Sequence, residues 1–445
     1  MTTKHQKPTG MGPFTIAWIG QIVSLLGTSM SNFALTIWAY EITGKATALA
    51  LVGFFFITPM VVVSPLAGAI VDRSNRKLMM MLSDLAAGLT TVFILLLYTT
   101  GNLQIWHLYI SASIAGTFQA FQWPAFSAAI TMMLPKEQYA RANGMMELAG
   151  SASGIFAPVL AGAMLGFIGL GGILVIDIVT FIVAIGALLL VHIPQPEVTA
   201  AGREAKGSLW KESAYGFHYI FKRPSLLGLQ LVFLALNLTS TLAIAVFAPM
   251  ILARTGSNEI VFGSVQSLGA IGGVVGGVVM GAWGGPKRRV HGVLTGMILV
   301  SLLGEFLLGL GRSLLVWAVA SFFMQFFIPI INGSNQAIWQ SKVAPDVQGR
   351  VFATRRLIAW LVVPLSRLAA GPLADFVFEP AMMPEGSLAG LFGRLVGTGP
   401  GAGMSLMFVI VGLLGALVAL GGYAFRVVRD AEDILPDYDM TAAEV

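Results

Sequence analysis

Long, nearly charge-free runs separated by short polar breaks recur from one end of this chain to the other. They predict helices near 13–40, 46–71, 78–100, 103–134, 142–168 and 170–192. After one long polar stretch come further helices near 225–253, 260–284, 290–311, 313–341, 354–378 and 403–427. A bilayer crossing takes about 20 apolar residues as a helix, and every run reaches that length. Open strands would leave backbone groups unsatisfied in lipid, and a barrel would show alternating segments of about ten residues. The expected fold class is an all-α integral membrane protein with twelve transmembrane helices.

Composition agrees with the pattern. Of 445 residues, 56% are hydrophobic and 11% charged, against about 25% charged in a soluble domain. The first apolar run is too long for a cleaved signal peptide and lacks a convincing small-residue cleavage site, so it is expected to be a retained helix. There is no cysteine, which excludes disulfides, thiolate metal sites and cysteine nucleophiles.

Charge then sets orientation. With both termini placed inside, the inner segments hold 21 of the 26 Lys and Arg, the outer loops hold four (Lys45, Arg254, Arg312, Arg394), and Arg367 lies within a span. Such asymmetry is the positive-inside signal of a cell-membrane protein with cytoplasmic termini. The expected organisation is a first six-helix half (1–192), a linker (193–224), a second half (225–428) and a tail (429–445). Within the linker, Trp210, Ala214, Phe217 and Phe221 recur at helical spacing, with Lys211, Glu212 and Lys222 off that stripe. This predicts an amphipathic helix, lying either in the membrane interface or on the inner ends of the bundle.

The halves echo each other at a spacing of about 210 residues. Gly68 through Lys77 closes the second run and Gly281 through Arg289 the eighth; Pro135 through Arg141 introduces the fifth and Pro345 through Arg350 the eleventh. Two halves in the same order form a parallel repeat about an axis along the membrane normal.

On these residues the chain resembles the major facilitator superfamily. Gly68, Asp72, Arg73, Arg76 and Lys77 match that family's loop motif, with Asn75 at its second glycine, a substitution a left-handed turn tolerates. Gly144, Ser153, Ala157, Pro158, Ala161, Gly162 and, on the same run, Gly154 resemble its antiporter motif. The basic residue common in span four of proton-coupled exporters is missing, since 103–134 contains no Lys or Arg. Residues 210–224, 379–382 and 397–401 look like the macrolide-exporter-like branch, which includes drug, siderophore and lysophospholipid carriers. The resemblance implies a pseudo-symmetric major facilitator fold and a gating role for the loop motif. For Asp72, capping of the next helix and pairing with Arg73 or Arg76 are both open, an exposed pair being worth up to about 1 kcal/mol.

Carboxylates interrupt four apolar runs. At mid-bilayer each would cost about 2.5–3.5 kcal/mol, so Glu147, Asp84, Asp177 and Glu305 are proton-coupling candidates. Glu147 leads, because the repeat pairs it with Arg356; a static salt bridge is the competing role. Asp84 is expected to pair with Arg76 or Lys77. The resemblance places the cavity among spans one, four, seven and ten. There Gln21, Asn32, Gln119, Gln122, Trp123, Asn237, Gln325, Asn332, Asn335, Gln336 and Trp339 are the substrate candidates, against the plainer role of interhelical hydrogen bonds. With no charge among them, the cavity is expected to be apolar and amide-lined.

The expected function is export of an amphipathic small molecule by alternating access with proton antiport, the protein acting as a monomer among membrane lipids. A lysophospholipid or siderophore carrier is the alternative within the class, and a membrane sensor or enzyme the alternative outside it. No HExxH helix or GxxxxGKS phosphate loop is present in the sequence, so neither metal nor nucleotide chemistry is indicated. No cofactor and no nucleic-acid partner are expected.

Overall fold

The computed structural model describes residues 9–43, 46–196, 209–256 and 258–438. Lys45, residues 197–208 of the polar linker and the end of the tail lie outside them. Helices α1 (Met11–Thr43), α2 (Ala46–Arg73), α3 (Arg76–Thr99), α4 (Ile105–Met133) and α5 (Tyr139–Leu190) build the first half. The linker contributes α6 (Leu209–Phe221). The second half contains α7 (Pro224–Ala245), α8 (Glu259–Trp283), α9 (Arg289–Leu299), α10 (Leu314–Lys342), α11 (Gln348–Leu373) and α12 (Ala402–Ala424). Short segments extend several of them, among them π-helical turns at Val300–Phe306 after α9 and Ala374–Phe378 after α11.

Among the described residues nine helices are long and apolar enough to cross a membrane. One of the nine includes α5, whose 52 residues would span about 78 Å if straight. It is not straight. Gly169 has φ +64°, a conformation that costs a residue with a Cβ but not glycine. Trp18 donates to the Met145 carbonyl at 2.9 Å, while Gly20 packs against Ala187. Both ends of α5 therefore lie beside the same turn of α1, and the chain folds back at Gly169 into two limbs. α4 and α11, with 29 and 26 residues, have the length of a crossing but more polar sequences.

Close packing inside each half depends on glycine where backbones touch, since lipid supplies no hydrophobic drive between helices. A Cβ on Gly116 would sit 2.0 Å from the Phe56 carbonyl oxygen, fixing α4 to α2, and one on Gly276 would sit 2.1 Å from that of Phe326, fixing α8 to α10. Trp339 and Phe352 anchor one core, Phe14, Met80 and Ile130 another.

Close backbone crossings of α2 with α11 and of α5 with α8 help to join the halves. At Gly68 a Cβ would lie 2.4 Å from the Gly349 oxygen, so α2 and α11 meet backbone to backbone. Gly277 and Gly144 similarly admit Leu148 and Met280 between α5 and α8. Further along α5 the contact ends: Gly150, Gly154, Gly162 and Gly166 face nothing within 4 Å. The halves are clamped at the end carrying residues 68–77 and diverge away from it.

The linker helix packs on the bundle. Glu212, Ser213, Tyr219 and Ile220 are buried, and Gly216 abuts Arg350 and Thr354 of α11. Phe221 on the predicted apolar stripe points outward, 60% exposed. Trp210 lies outside the residues whose side chains are described.

Candidate functional site: a central cavity with one sealed end

Where the halves diverge, α1, α3, α4, the first limb of α5, α7, α10 and α11 enclose a cavity of about 590 Å³. Gln21, Gln119, Gln122, Trp123, Asn237, Asn332 and Gln336, all expected there, line it. Four expected residues do not. Asn335 is buried and accepts from the Trp339 indole at 3.1 Å, so this i, i+4 pair faces the core of its own half. Asn32 and Gln325 are exposed and are not among the cavity's residues.

The expectation of an uncharged lining is overturned. Asp84, Glu147, Arg355 and Arg356 all border the cavity. Asp84 pairs with neither Arg76 nor Lys77: Gln21 Nε2 donates to one carboxylate oxygen at 2.8 Å and Gln122 Nε2 to the other at 3.0 Å. The amides solvate this acid, as a buried carboxylate requires. Asn332, of the other half, is a polar neighbour of the Glu147 carboxyl and lines the same cavity. Asp177 and Glu305 are buried outside the cavity. Asp177 accepts from Thr28 and Thr91, both at 2.9 Å, tying α5 to α1 and α3; Glu305 has Ser240 of α7 as a polar neighbour.

The two arginines meet aromatic faces and no acid. Arg355 lies over the Trp339 ring at 5.1 Å and donates to Gln336 Oε1. Arg356 lies between Trp123 at 5.4 Å and Trp360 at 5.0 Å. Among the described residues neither guanidinium forms an ion pair. The charge count groups both with the inner basic residues, although the predicted span 354–378 contains them and the repeat matches Arg356 to Glu147. Arg367 belongs to α11, but its side chain is not among those described.

At the clamped end the loop motif closes the seam. Asp72 does not cap α3. Its carboxylate accepts the backbone N–H groups of Gly349 and Arg350 at 2.7 and 2.9 Å, with Arg350 Nε at 3.3 Å. It thus caps α11 in the opposite half, where a helix N-terminus favours an anion. The pair is fully buried rather than exposed. Arg73 makes two hydrogen bonds to Glu212 of α6, at 2.6 and 2.7 Å, and Glu212 also lies 3.5 Å from Arg350. Arg76, buried, donates to the carbonyls of Ala128 and Pro345. Lys77 caps the end of α5 through the Leu189 and Val191 carbonyls. Asn75 is extended (φ −67°), not left-handed, and its side chain accepts from Leu78 N as the cap of α3.

Between this seam and the cavity lies a layer of amides. Gln340 donates to the Ser127 carbonyl at 2.8 Å and accepts from Asn143 at 2.6 Å; Gln348 accepts from Thr131 at 3.0 Å. Gln336, at the cavity floor, donates to Ser127 Oγ. On the outer side of the seam Asp437 of the tail bridges Lys342 (2.8 Å) and Lys136 (3.6 Å), one from each half. Of the antiporter-like positions, Gly144 lies in the tight α5–α8 crossing, whereas Gly154, half-buried Pro158 and Gly162 lie on the diverging stretch. Among the described residues no group of three or more His, Cys, Asp and Glu is placed to hold a metal ion.

Comparison with known proteins agrees with this architecture. Macrolide efflux protein A of Streptococcus pyogenes is 26% identical over 367 residues, which cover 81% of this chain and 89% of that protein. The multidrug efflux pump Tap of Mycolicibacterium fortuitum is 24% identical over 380 residues, 82% of this chain and 90% of that one. Among solved structures, a bacterial homologue of the iron transporter ferroportin in its outward-facing state superposes with a TM-score of 0.62 at 15% identity, covering 93% of this chain and all of the other. The E. coli fucose:proton symporter gives 0.61 at 11% identity, covering 91% and 98%. The Major Facilitator Superfamily sequence model matches residues 17–366. This chain belongs to the Major Facilitator Superfamily, and it is a multi-pass membrane transporter.

Proposed function

We propose that the protein is a secondary exporter of amphipathic small molecules, a monomer of twelve crossings in the cell membrane with cytoplasmic termini, driven by proton antiport. The observation that carries this reading is the cavity of about 590 Å³ between the halves, sealed at the end bearing the basic loops. A pocket of roughly 300–1,000 Å³ suits a drug-sized ligand. Alternating access needs such a compartment to open to one side at a time. The Asp72–α11 contact and the amide layer form a seal that breaks when the halves rock. The similarity to macrolide and multidrug efflux proteins supports export and the amphipathic substrate class.

Coupling is assigned to Glu147. It lies in the cavity beside a polar partner of the other half, and Arg356, also of the other half, lines the same space. Movement of one half against the other changes which group faces the acid, and so its affinity for a proton. The test is substrate-stimulated proton flux in proteoliposomes holding an entrapped pH dye, with erythromycin and 1-pyrenebutyrate as probes. Proton movement that requires probe and protein together is the expected result. Uptake of a probe down its own gradient with no accompanying proton flux would refute the coupling, and no flux of either would refute the transport.

A further inference from the structure

The cavity holds two cationic groups that no acid neutralises in this conformation among the described residues. Arg355 and Arg356 are adjacent on α11, two turns inside the helix, which begins at Gln348. A buried guanidinium without an acid is costly unless its donors are satisfied. The rings of Trp339, Trp123 and Trp360 contact guanidinium faces, which offsets part of that cost. A guanidinium carries five N–H donors in its plane. Among the described residues Arg355 spends one on Gln336, and Arg356 has only the Met60 sulfur, at 4.0 Å. Most of ten donors, on two neighbouring side chains, remain for a ligand.

The two acids of the cavity do not consume them. Both oxygens of Asp84 are held by the amides of Gln21 and Gln122, and the polar neighbour of Glu147 is Asn332. Among the described residues no ion pair joins either acid to Arg355 or Arg356. Planar guanidinium forks match carboxylate and phosphate oxygens bidentately, and tryptophan faces beside them suit an apolar or aromatic body.

We infer that the transported molecule carries an anionic group, a carboxylate or a phosphate, bound by Arg355 and Arg356, with its apolar body against Trp123 and Trp360. This deepens the exporter reading and rests on it for the word transported, but the site is tested by binding alone. The full-length protein is placed in neutral phosphatidylcholine nanodiscs, and energy transfer from tryptophan to pyrene is measured. The probes are 1-pyrenebutyrate, 1-pyrenebutyl phosphate and the uncharged 1-pyrenebutanol, with empty discs subtracting partition into lipid. Both anions should bind at least about tenfold more tightly than the alcohol, as charge-assisted bonds of the usual strength require.

Arg355→Gln and Arg356→Gln should each remove about tenfold in anion affinity and leave the alcohol within about twofold. Arg356→Lys should fall between, keeping the charge and losing the fork. Preference for the phosphate would assign a phospholipid-type head group, and preference for the carboxylate an organic acid; either supports the site. Equal affinity for anion and alcohol in the unaltered protein would overturn the inference without any variant, which also decides the matter if the glutamine variants fail to fold. An anion advantage that survives in the double glutamine variant would overturn it as well. Anion-selective binding without proteoliposome transport would sink the exporter reading alone, whereas probe transport without anion preference would sink this inference alone.

Discussion

Asp72→Asn is the sharpest perturbation of the sealed end, because one carboxylate touches three partners. The carboxylate accepts two backbone N–H groups at 2.7 and 2.9 Å and faces Arg350 Nε at 3.3 Å, with no solvent access. Charge-assisted hydrogen bonds contribute about 1.5–3 kcal/mol each, and breaking a buried pair costs about 3–5 kcal/mol. Asparagine keeps one acceptor, and Glu212 still attends Arg350 at 3.5 Å, so the net loss should be about 2–4 kcal/mol. At about 1.4 kcal/mol per tenfold, the closed form loses a factor of roughly 30 to 700. A closed population of ~99% would fall to between ~77% and ~12%. The protein has no native cysteine, which makes double electron–electron resonance direct. Labels at Leu190→Cys and Phe425→Cys report the clamped end, and labels at Phe167→Cys and Leu315→Cys the other. Asp72→Asn should broaden the first distance toward longer values and shorten the second, with the affinity of cavity probes changed less than threefold. Unaltered distances together with lost probe binding would refute the gate and place Asp72 with the cavity.

Glu147→Gln should remain folded, bind probes and exchange them, yet fail to accumulate them against a gradient; uphill pumping by this variant in proteoliposomes would point to Asp84 as the next acid. Gly277→Leu should disrupt the α5–α8 crossing, where the Cα of Leu148 is 2.9 Å from the added Cβ, and lower the melting midpoint and transport together. Gly276→Leu is expected to damage α8–α10 packing instead, since that glycine faces Phe326, and a cross-half disulfide assay separates the two. In the tail, burial raises the Asp437 carboxyl, but the hydrogen bond and charge of Lys342, with Lys136 and Arg289, hold it below its ordinary 3.8. A lowered native pKa means the strap is fully formed above the ordinary value and is lost as pH falls below it. Amide exchange at Tyr438, whose N–H binds the Ser341 carbonyl, should stay slow through neutral pH in the unaltered protein and be fast in Asp437→Asn.

The helices were legible because length and charge-free composition are local properties. Even the turn at Gly169 fell between two predicted runs. Side-chain direction was harder, and the reason differs by residue. The predicted span eleven, 354–378, contains Arg355 and Arg356, but the charge count grouped them with the inner segments. The helix begins at Gln348, so the backbone leaves the loop two turns before the arginines. On α10, Asn332 and Gln336 form one stripe, Asn335 and Trp339 the next. Composition could not choose between stripes about 60° apart. Asp84 looked like a partner for Arg76 because only eight residues separate them, but Arg76 is held by Ala128 and Pro345, a contact no sequence spacing reveals.

The same residues also show how events in the cavity reach the seal. Gln336 accepts from Arg355 through its carbonyl oxygen and donates to Ser127 Oγ through its amide. Ser127 offers its own carbonyl to Gln340, which is joined in turn to Asn143 of α5. One amide thus belongs both to the wall of the cavity and to the layer that closes it. Such a layer is neutral, so parting it exposes donors and acceptors that water can satisfy at little cost. The buried Asp72 contact beyond it is charged and directional, and it fixes where closure ends. We propose that a ligand drawing the Arg355 side chain away loosens its Gln336 bond before α11 itself moves at Asp72. Opening can therefore begin at the cavity floor and reach the charged seam last, an order that keeps the compartment closed to one side until the halves have begun to move.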